Sequence, residues 1–223
     1  MQDGLLPPET SDPSLNEHYD MIDAQLTTEI FGLLSPVNYK SALKMSNLPI
    51  RTTARGDAAS ISDFYVIIHS LASTIDSNKP LDEELIRISD FASSVLDKNS
   101  YSLPMYEFVK SKFNSGITWE QTRDSIYQRY QVDQKDGYDV TSRNLYCNGC
   151  FASGINFASS LISYFYGKGD FKETIKIATL SGWDSDNPAS TWGGLLGFVH
   201  GRDNIEKIFD KSMSTKYNIH RTR

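Results

Sequence analysis

A chain of 223 residues, 39% hydrophobic and 22% charged, has the make-up of an ordinary globular protein and excludes the disordered and fibrous classes. Its net charge of -6, with no dense basic cluster, excludes a surface that follows a phosphate backbone, so no nucleic-acid partner is expected. No apolar stretch reaches the roughly 18 residues that cross a bilayer, and MQDGLLPPETSDPS at the start lacks the regions of a signal peptide; the expectation is a soluble, cytoplasmic protein with no membrane contact.

Residues 1–19 carry Pro7, Pro8 and Pro13 without periodicity and read as a flexible tail. From Tyr19 onward Ile22, Leu26, Ile30, Phe31 and Leu34 recur at helical spacing, which predicts one amphipathic helix that buries this aliphatic face and stops before Pro36. A second helix is predicted from Tyr39 to Asn47, ended by Leu48-Pro49. After the polar link RTTARGD a longer one follows, over 58–73. Residues 81–97 place Leu85, Ile88, Phe91, Ala92 and Val95 on one face with acids in the first turn, where the helix dipole favours them. Helices are also predicted over 104–113 and 118–130, the latter with Thr118 and Gln121 spaced as a capping box.

The polar stretch 131–146, with Asp136-Gly137, is the longest loop candidate. Beyond it, helical periodicity returns over 154–165, 171–180, 188–200 and 203–209. No segment alternates apolar and polar residues, so the fold class is all-α, a single helical domain over 20–212 followed by a basic tail over 213–223. The two cysteines, Cys147 and Cys150, form CNGC. Zinc would ask for further Cys or His ligands nearby, and redox chemistry for a strand before the pair, so a structural role is expected.

Between the third and second helices from the end lies GWDSDN, residues 182–187. Side chains at i and i+2 share a side only where the backbone is not helical, and Gly182 and Pro188 favour such a loop. Asp184 and Asp186 then converge, and with the Asn187 amide oxygen they offer about half of the six oxygens a magnesium ion takes. The competing reading is a helix start, with Asn187 as cap, Pro188 as first residue and acids favoured by the dipole. An EF-hand is excluded, because Ala189 and Leu195 stand where it needs Gly and Glu. The next segment, PASTWGGLLGFVHG, sets Gly193, Gly197 and Gly201 on one stripe, which predicts close backbone packing against another helix.

The segment INFASSLISYFYGKGDFKETIKIATLSGWDSDNPASTWGGLLGFVH, with its Gly-x-Asp-x-Asp loop and small-residue helix, resembles the C-terminal signature of the ADP-ribosylglycohydrolase superfamily, which includes J1-type crystallins. IDAQLTTEIFGLLSPVNYKSALKMSNLPIRTTARGDAASISDFYVIIHSLA resembles that family's central helices, particularly in a fungal and bacterial branch. The resemblance implies an orthogonal all-α multi-helix bundle around two Mg²⁺ ions that hydrolyses the bond between ADP-ribose and its acceptor. By position it makes Asp184 and Asp186 metal ligands, with Asn187 where the family usually has threonine. Arg51 and Arg55 become candidates to face a pyrophosphate, against surface solvation as their ordinary role. The family's Gly-Asp and Thr-Asp-Asp motifs, which supply the remaining ligands, have no counterpart in this sequence. The expected bundle is therefore incomplete at its N-terminus, with weak or absent hydrolysis of an ADP-ribosylated substrate and room for a partner chain over the missing region. The alternative is a non-catalytic helical binding or structural protein of crystallin type.

Overall fold

The computed structural model describes residues 4–138, 149 and 151–216. The helices in chain order are α1 (Asp23–Thr28), α2 (Ile30–Leu34), α3 (Tyr39–Ile50), α4 (Asp57–Leu71), α5 (Leu81–Ala92), α6 (Ser102–Asn114), α7 (Trp119–Ile126), α8 (Ser153–Gly167), α9 (Phe171–Ser181), α10 (Asp186–His200) and α11 (Arg202–Phe209). Among the described residues there is no strand, only an isolated bridge from Met21 to Ala152. Cys147 and Cys150 lie outside the described residues.

Two helices carry the core. In α8 every residue but Tyr166 is buried, as expected of a helix apolar on nearly all sides. It packs on α6, α7, α9, α10 and α4, while α4 packs in turn on α1, α2, α3 and α5. A polar seam runs through this junction: Tyr65 Oη and Ser160 Oγ lie 2.5 Å apart, and the Trp192 indole N–H donates to the Ser160 carbonyl at 2.8 Å. The Trp192 ring lies 5.4 Å from that of Tyr65 and 4.6 Å from that of Tyr164. These contacts fix the start of α10 against α4 and α8.

Thr118 and Gln121 form the predicted capping box. α7 then passes into a π-helical turn, Tyr127–Val132. The predicted helix over 81–97 divides into α5 and a 3-10 turn, Ser93–Val95, with Leu85, Ile88 and Ala92 buried and Phe91 exposed at its edge. α3 runs on through Pro49 to Ile50. A proline in the last turn still has its carbonyl in use, since Thr52 N–H reaches it at 3.3 Å. Ahead of α1, Glu9–Ser11 form a 3-10 turn, and the Asn16 amide donates to the Thr53 carbonyl at 3.1 Å.

Besides the end of α3, two further sequence expectations are overturned. The first helix divides at Glu29 into α1 and α2, and of its predicted buried face only Ile22, at 3% exposure, and the partly buried Phe31 meet the core, whereas Leu26 at 44%, Ile30 at 51% and Leu34 at 65% face outward. The buried side is the small and polar one, Ala24, Gln25, Thr28 and Gly32. Gly32 explains the inversion: a β-carbon there would stand 2.4 Å from the Val66 carbonyl oxygen, so only the small face can seat on α4. The glycine stripe of α10 is the second. Gly197 and Gly201 have nothing within 4 Å of a β-carbon position among the described residues, and Gly193 meets only Ile175 at 3.4 Å. The close approach instead lies between α8 and α9, where a β-carbon on Gly167 would collide with Thr174.

Candidate functional site

The acidic loop is built by a reversal after α9. Gly182 (φ 96°, ψ -165°) ends that helix, and Trp183 follows with φ 54°, a left-handed conformation that a bulky residue adopts only when its surroundings hold it there. Two contacts do so. The Trp183 indole N–H donates to Gln131 Oε1 at 2.8 Å, and the next backbone N–H, that of Asp184, donates to Asn156 Oδ1 at 3.1 Å. Asn156 is buried in α8 and braced by its own amide N–H on the Ala152 carbonyl at 2.9 Å.

Ser185, in helical conformation, precedes α10, which starts at Asp186 without a side-chain cap. The cap reading of Asn187-Pro188 is therefore overturned: both residues already lie inside the helix, and the Asn187 N–H is met by the Asp184 carbonyl at 3.1 Å. With Asp184 outside the helix and Asp186 at its first position, the two carboxyls are near enough for one to perturb the other. Burial first, and then the neighbouring Asp186 carboxyl, push the Asp184 pKa up to about 6. Two like charges held together in this way are relieved by one shared proton or by a divalent cation.

Asn187 is 3% exposed. Its Nδ2 is buried without a partner, and its Oδ1 lies 3.4 Å from Thr191 Oγ1. Thr191 in turn donates its hydroxyl proton to Glu29 Oε1, across from the α1–α2 break. The far oxygen of Glu29 lies 3.9 Å from His69 Nε2, and His69 Nδ1 is 2.8 Å from the Tyr65 carbonyl. Burial drives the Glu29 pKa up to about 7 and the His69 pKa down, so the low-dielectric surroundings disfavour charge on both.

The arginines of the central link are otherwise engaged. Arg51 pairs with Asp63 at 3.4 Å, and Arg55 with Asp12 at 3.7 Å; no contact among the described residues joins either to Asp184 or Asp186. No set of three or more His, Cys, Asp or Glu side chains converges on one metal position among the described residues. The donors at hand are thus the two carboxylates, while the Asn187 carboxamide is buried with its oxygen toward Thr191. This oxygen chemistry fits one side of a hard-cation site.

Sequence reasoning did not single out Asn156, Gln131, Glu29 or Thr191. The one available signal was an asparagine in the otherwise apolar and small-residue run of α8. Of the described residues, no helix is long and apolar enough to cross a membrane. A family model described as ADP-ribosylglycohydrolase matches residues 11–213. No curated protein and no solved structure matches the chain.

Proposed function

Since this chain belongs to the ADP-ribosylglycohydrolase family, we propose that its acidic loop is the metal-binding side of a hydrolytic site acting on an ADP-ribosyl bond. The observation that carries this reading is the pairing of Asp184 with Asp186 at the braced turn, where burial first and then the Asp186 carboxyl push the Asp184 pKa up to about 6. In this reading Asp184, Asp186 and the Asn187 oxygen hold Mg²⁺. A bound magnesium would orient the ribose hydroxyls and lower the pKa of a water aimed at the anomeric carbon.

The chain's own residues set up that chemistry. Asn156 and Gln131 brace the loop from α8 and from the π-helical turn, so the carboxylates keep their spacing without a ligand. Asp184 is half-buried beside the exposed Asp186, and that partial dehydration of one carboxylate strengthens its attraction for a cation. Two ions and the remaining ligands belong to the full proposal, together with a partner chain that would carry them.

Titrating Mg²⁺ into the protein and into an Asp184→Ala, Asp186→Ala double variant tests the site, with release of ADP-ribose from ADP-ribosylated arginine and serine peptides as the second readout. Binding should vanish in the variant. Equal affinity in both would remove the metal reading and leave the second one, a non-catalytic helical binding protein, which the outward stripe of Leu26, Ile30 and Leu34 favours.

A further inference from the structure

The chain from half-buried Glu29 to buried Thr191 and Asn187 contains a hydrogen-bond conflict whose resolution assigns a role to Glu29. A hydroxyl carries one proton. Thr191 gives its proton to Glu29 Oε1, so its oxygen can meet Asn187 only as an acceptor. The Asn187 atom facing it is Oδ1, at 3.4 Å, which sets one acceptor against another. At the opposite end of the same carboxamide, Nδ2 is buried with no partner. Rotating the amide by half a turn removes the first fault, since Nδ2–H then donates to Thr191 Oγ1, and it puts Oδ1, a potential ligand oxygen, at the buried end without a protein partner.

We propose that Glu29 is a positioning residue: by drawing the Thr191 proton it obliges Asn187 to turn its nitrogen to Thr191 and to keep its oxygen at the buried, unpartnered end, the orientation in which a cation held by Asp184 and Asp186 would meet an oxygen rather than a nitrogen. The proposal rests on the metal reading of the acidic loop for that last step only. The hydrogen-bond direction is a property of the metal-free protein.

The arrangement is built to hold in either charge state of Glu29. Oε1 takes the Thr191 proton while Oε2 faces His69 Nε2 at 3.9 Å. A proton on Glu29 would therefore sit on Oε2 and leave Oε1 an acceptor. His69 is kept on this side by its Nδ1 contact with the Tyr65 carbonyl, and the Tyr65 phenol is taken up by Ser160. Glutamine at position 29 would preserve the direction in the same way, with its nitrogen toward His69 and its oxygen toward Thr191. Methionine would not: the Thr191 proton would turn to Asn187 Oδ1 and present the amide nitrogen, which no cation accepts.

The test measures Mg²⁺ affinity across a small set of variants, with thermal unfolding to confirm that each is folded. Glu29→Met and Thr191→Val should each weaken binding about tenfold, the scale of one misdirected buried hydrogen bond. Glu29→Gln and Thr191→Ser should bind as the parent does. In an Asn187→Asp background both ends of the side chain are oxygen, so adding Glu29→Met should cost nothing. Loss by the same factor in both backgrounds, or in neither, overturns the proposal. NMR of the metal-free protein supplies a separate readout: the Asn187 side-chain amide protons should show cross-relaxation with the Thr191 side chain, and Glu29→Met should abolish it. Absence of that signal in the parent overturns the proposal whatever the metal does, whereas its presence without Mg²⁺ binding keeps the hydrogen-bond direction and sinks only the metal reading.

Discussion

Gly32 is seated against the backbone of Val66 so closely that a β-carbon would lie 2.4 Å from the Val66 oxygen and 2.7 Å from His69 Cβ. Backbone cannot retreat as a flexible side chain can, so Gly32→Ala must lift α2 off α4. A loss of about 1–3 kcal/mol is expected, read as a lower urea midpoint. Because Glu29 lies three residues earlier, the same variant should also loosen the Glu29–Thr191 contact and weaken Mg²⁺ binding. An unchanged midpoint would contradict the seating of α2.

The outward stripe makes the opposite forecast. Leu34 is 65% exposed whereas Ile88, in α5, is fully buried. Leu34→Lys should shift stability by no more than about 0.5 kcal/mol, and Ile88→Ala should cost about 2–5 kcal/mol. Comparable losses at the two positions in chemical denaturation would mean that Leu34 packs inward.

Glu29 gives stability a pH dependence with a definite sign. Burial raises its pKa from the ordinary 4.5 to about 7, so the folded state holds a proton that the unfolded chain releases. That contribution is complete below about 4.5 and is lost as pH climbs through about 7. The thermal midpoint of the parent should fall over this window more steeply than that of Glu29→Gln, which cannot titrate. Parallel curves would count against a buried carboxyl at this position.

Asp184 acts at lower pH and through the metal. With a pKa raised to about 6 by burial and by Asp186, its protonated form competes with cations. Mg²⁺ affinity should rise by up to about tenfold per pH unit from pH 5 to 6 and level off above about 7. In the absence of metal the sign reverses for Asp184's contribution to stability, which is complete below about 3.8, is lost as pH rises through about 6, and is offset by saturating Mg²⁺ at pH 7; the difference between the parent and Asp184→Asn in thermal midpoint reads it. A flat Mg²⁺ affinity from pH 5 to 8 would exclude Asp184 as a ligand.

Removing the Tyr65 hydroxyl tests the polar seam of the core. Tyr65→Phe removes one contact of Ser160 Oγ, 2.5 Å away, which keeps its hydrogen bond to the Phe157 carbonyl at 2.9 Å, and should cost about 1 kcal/mol in denaturant melts. Since the Ser160 carbonyl still receives the Trp192 N–H, α10 should stay in place and Mg²⁺ affinity should not change. A fall in affinity would show that the seam reaches the acidic loop.

The helices that bury residues on most sides were plain in the sequence, since α4 and α8 follow from long helical runs of apolar and small residues. The face of α1 and α2 was not. Periodicity reports where Leu26, Ile30 and Leu34 lie relative to one another, and says nothing of whether a flat surface or a close backbone awaits them. The glycines show the same limit: those of α10 form a regular stripe without close contact, while Gly32 and Gly167, isolated in sequence, are the ones that approach a neighbour. In the acidic loop, the sequence premise of a backbone free of helix holds for Asp184 only, since Ser185 is already helical and Asp186 opens α10. The loop's supports come from afar, Asn156 from 28 residues away, Gln131 from 52 and Glu29, through Thr191, from 162. Separations of that size leave no periodic trace.

Trp183 acts as a tie-rod. Its backbone is wound left-handed at the turn and its indole is pinned to Gln131 in the π-helical turn, so the turn and the two aspartates move as one body. Stiffness in the stretch 127–132 is thereby lent to a carboxylate pair far away in sequence. A sequence change near Gln131 that never touches an acid can thus retune how tightly the acids hold their spacing.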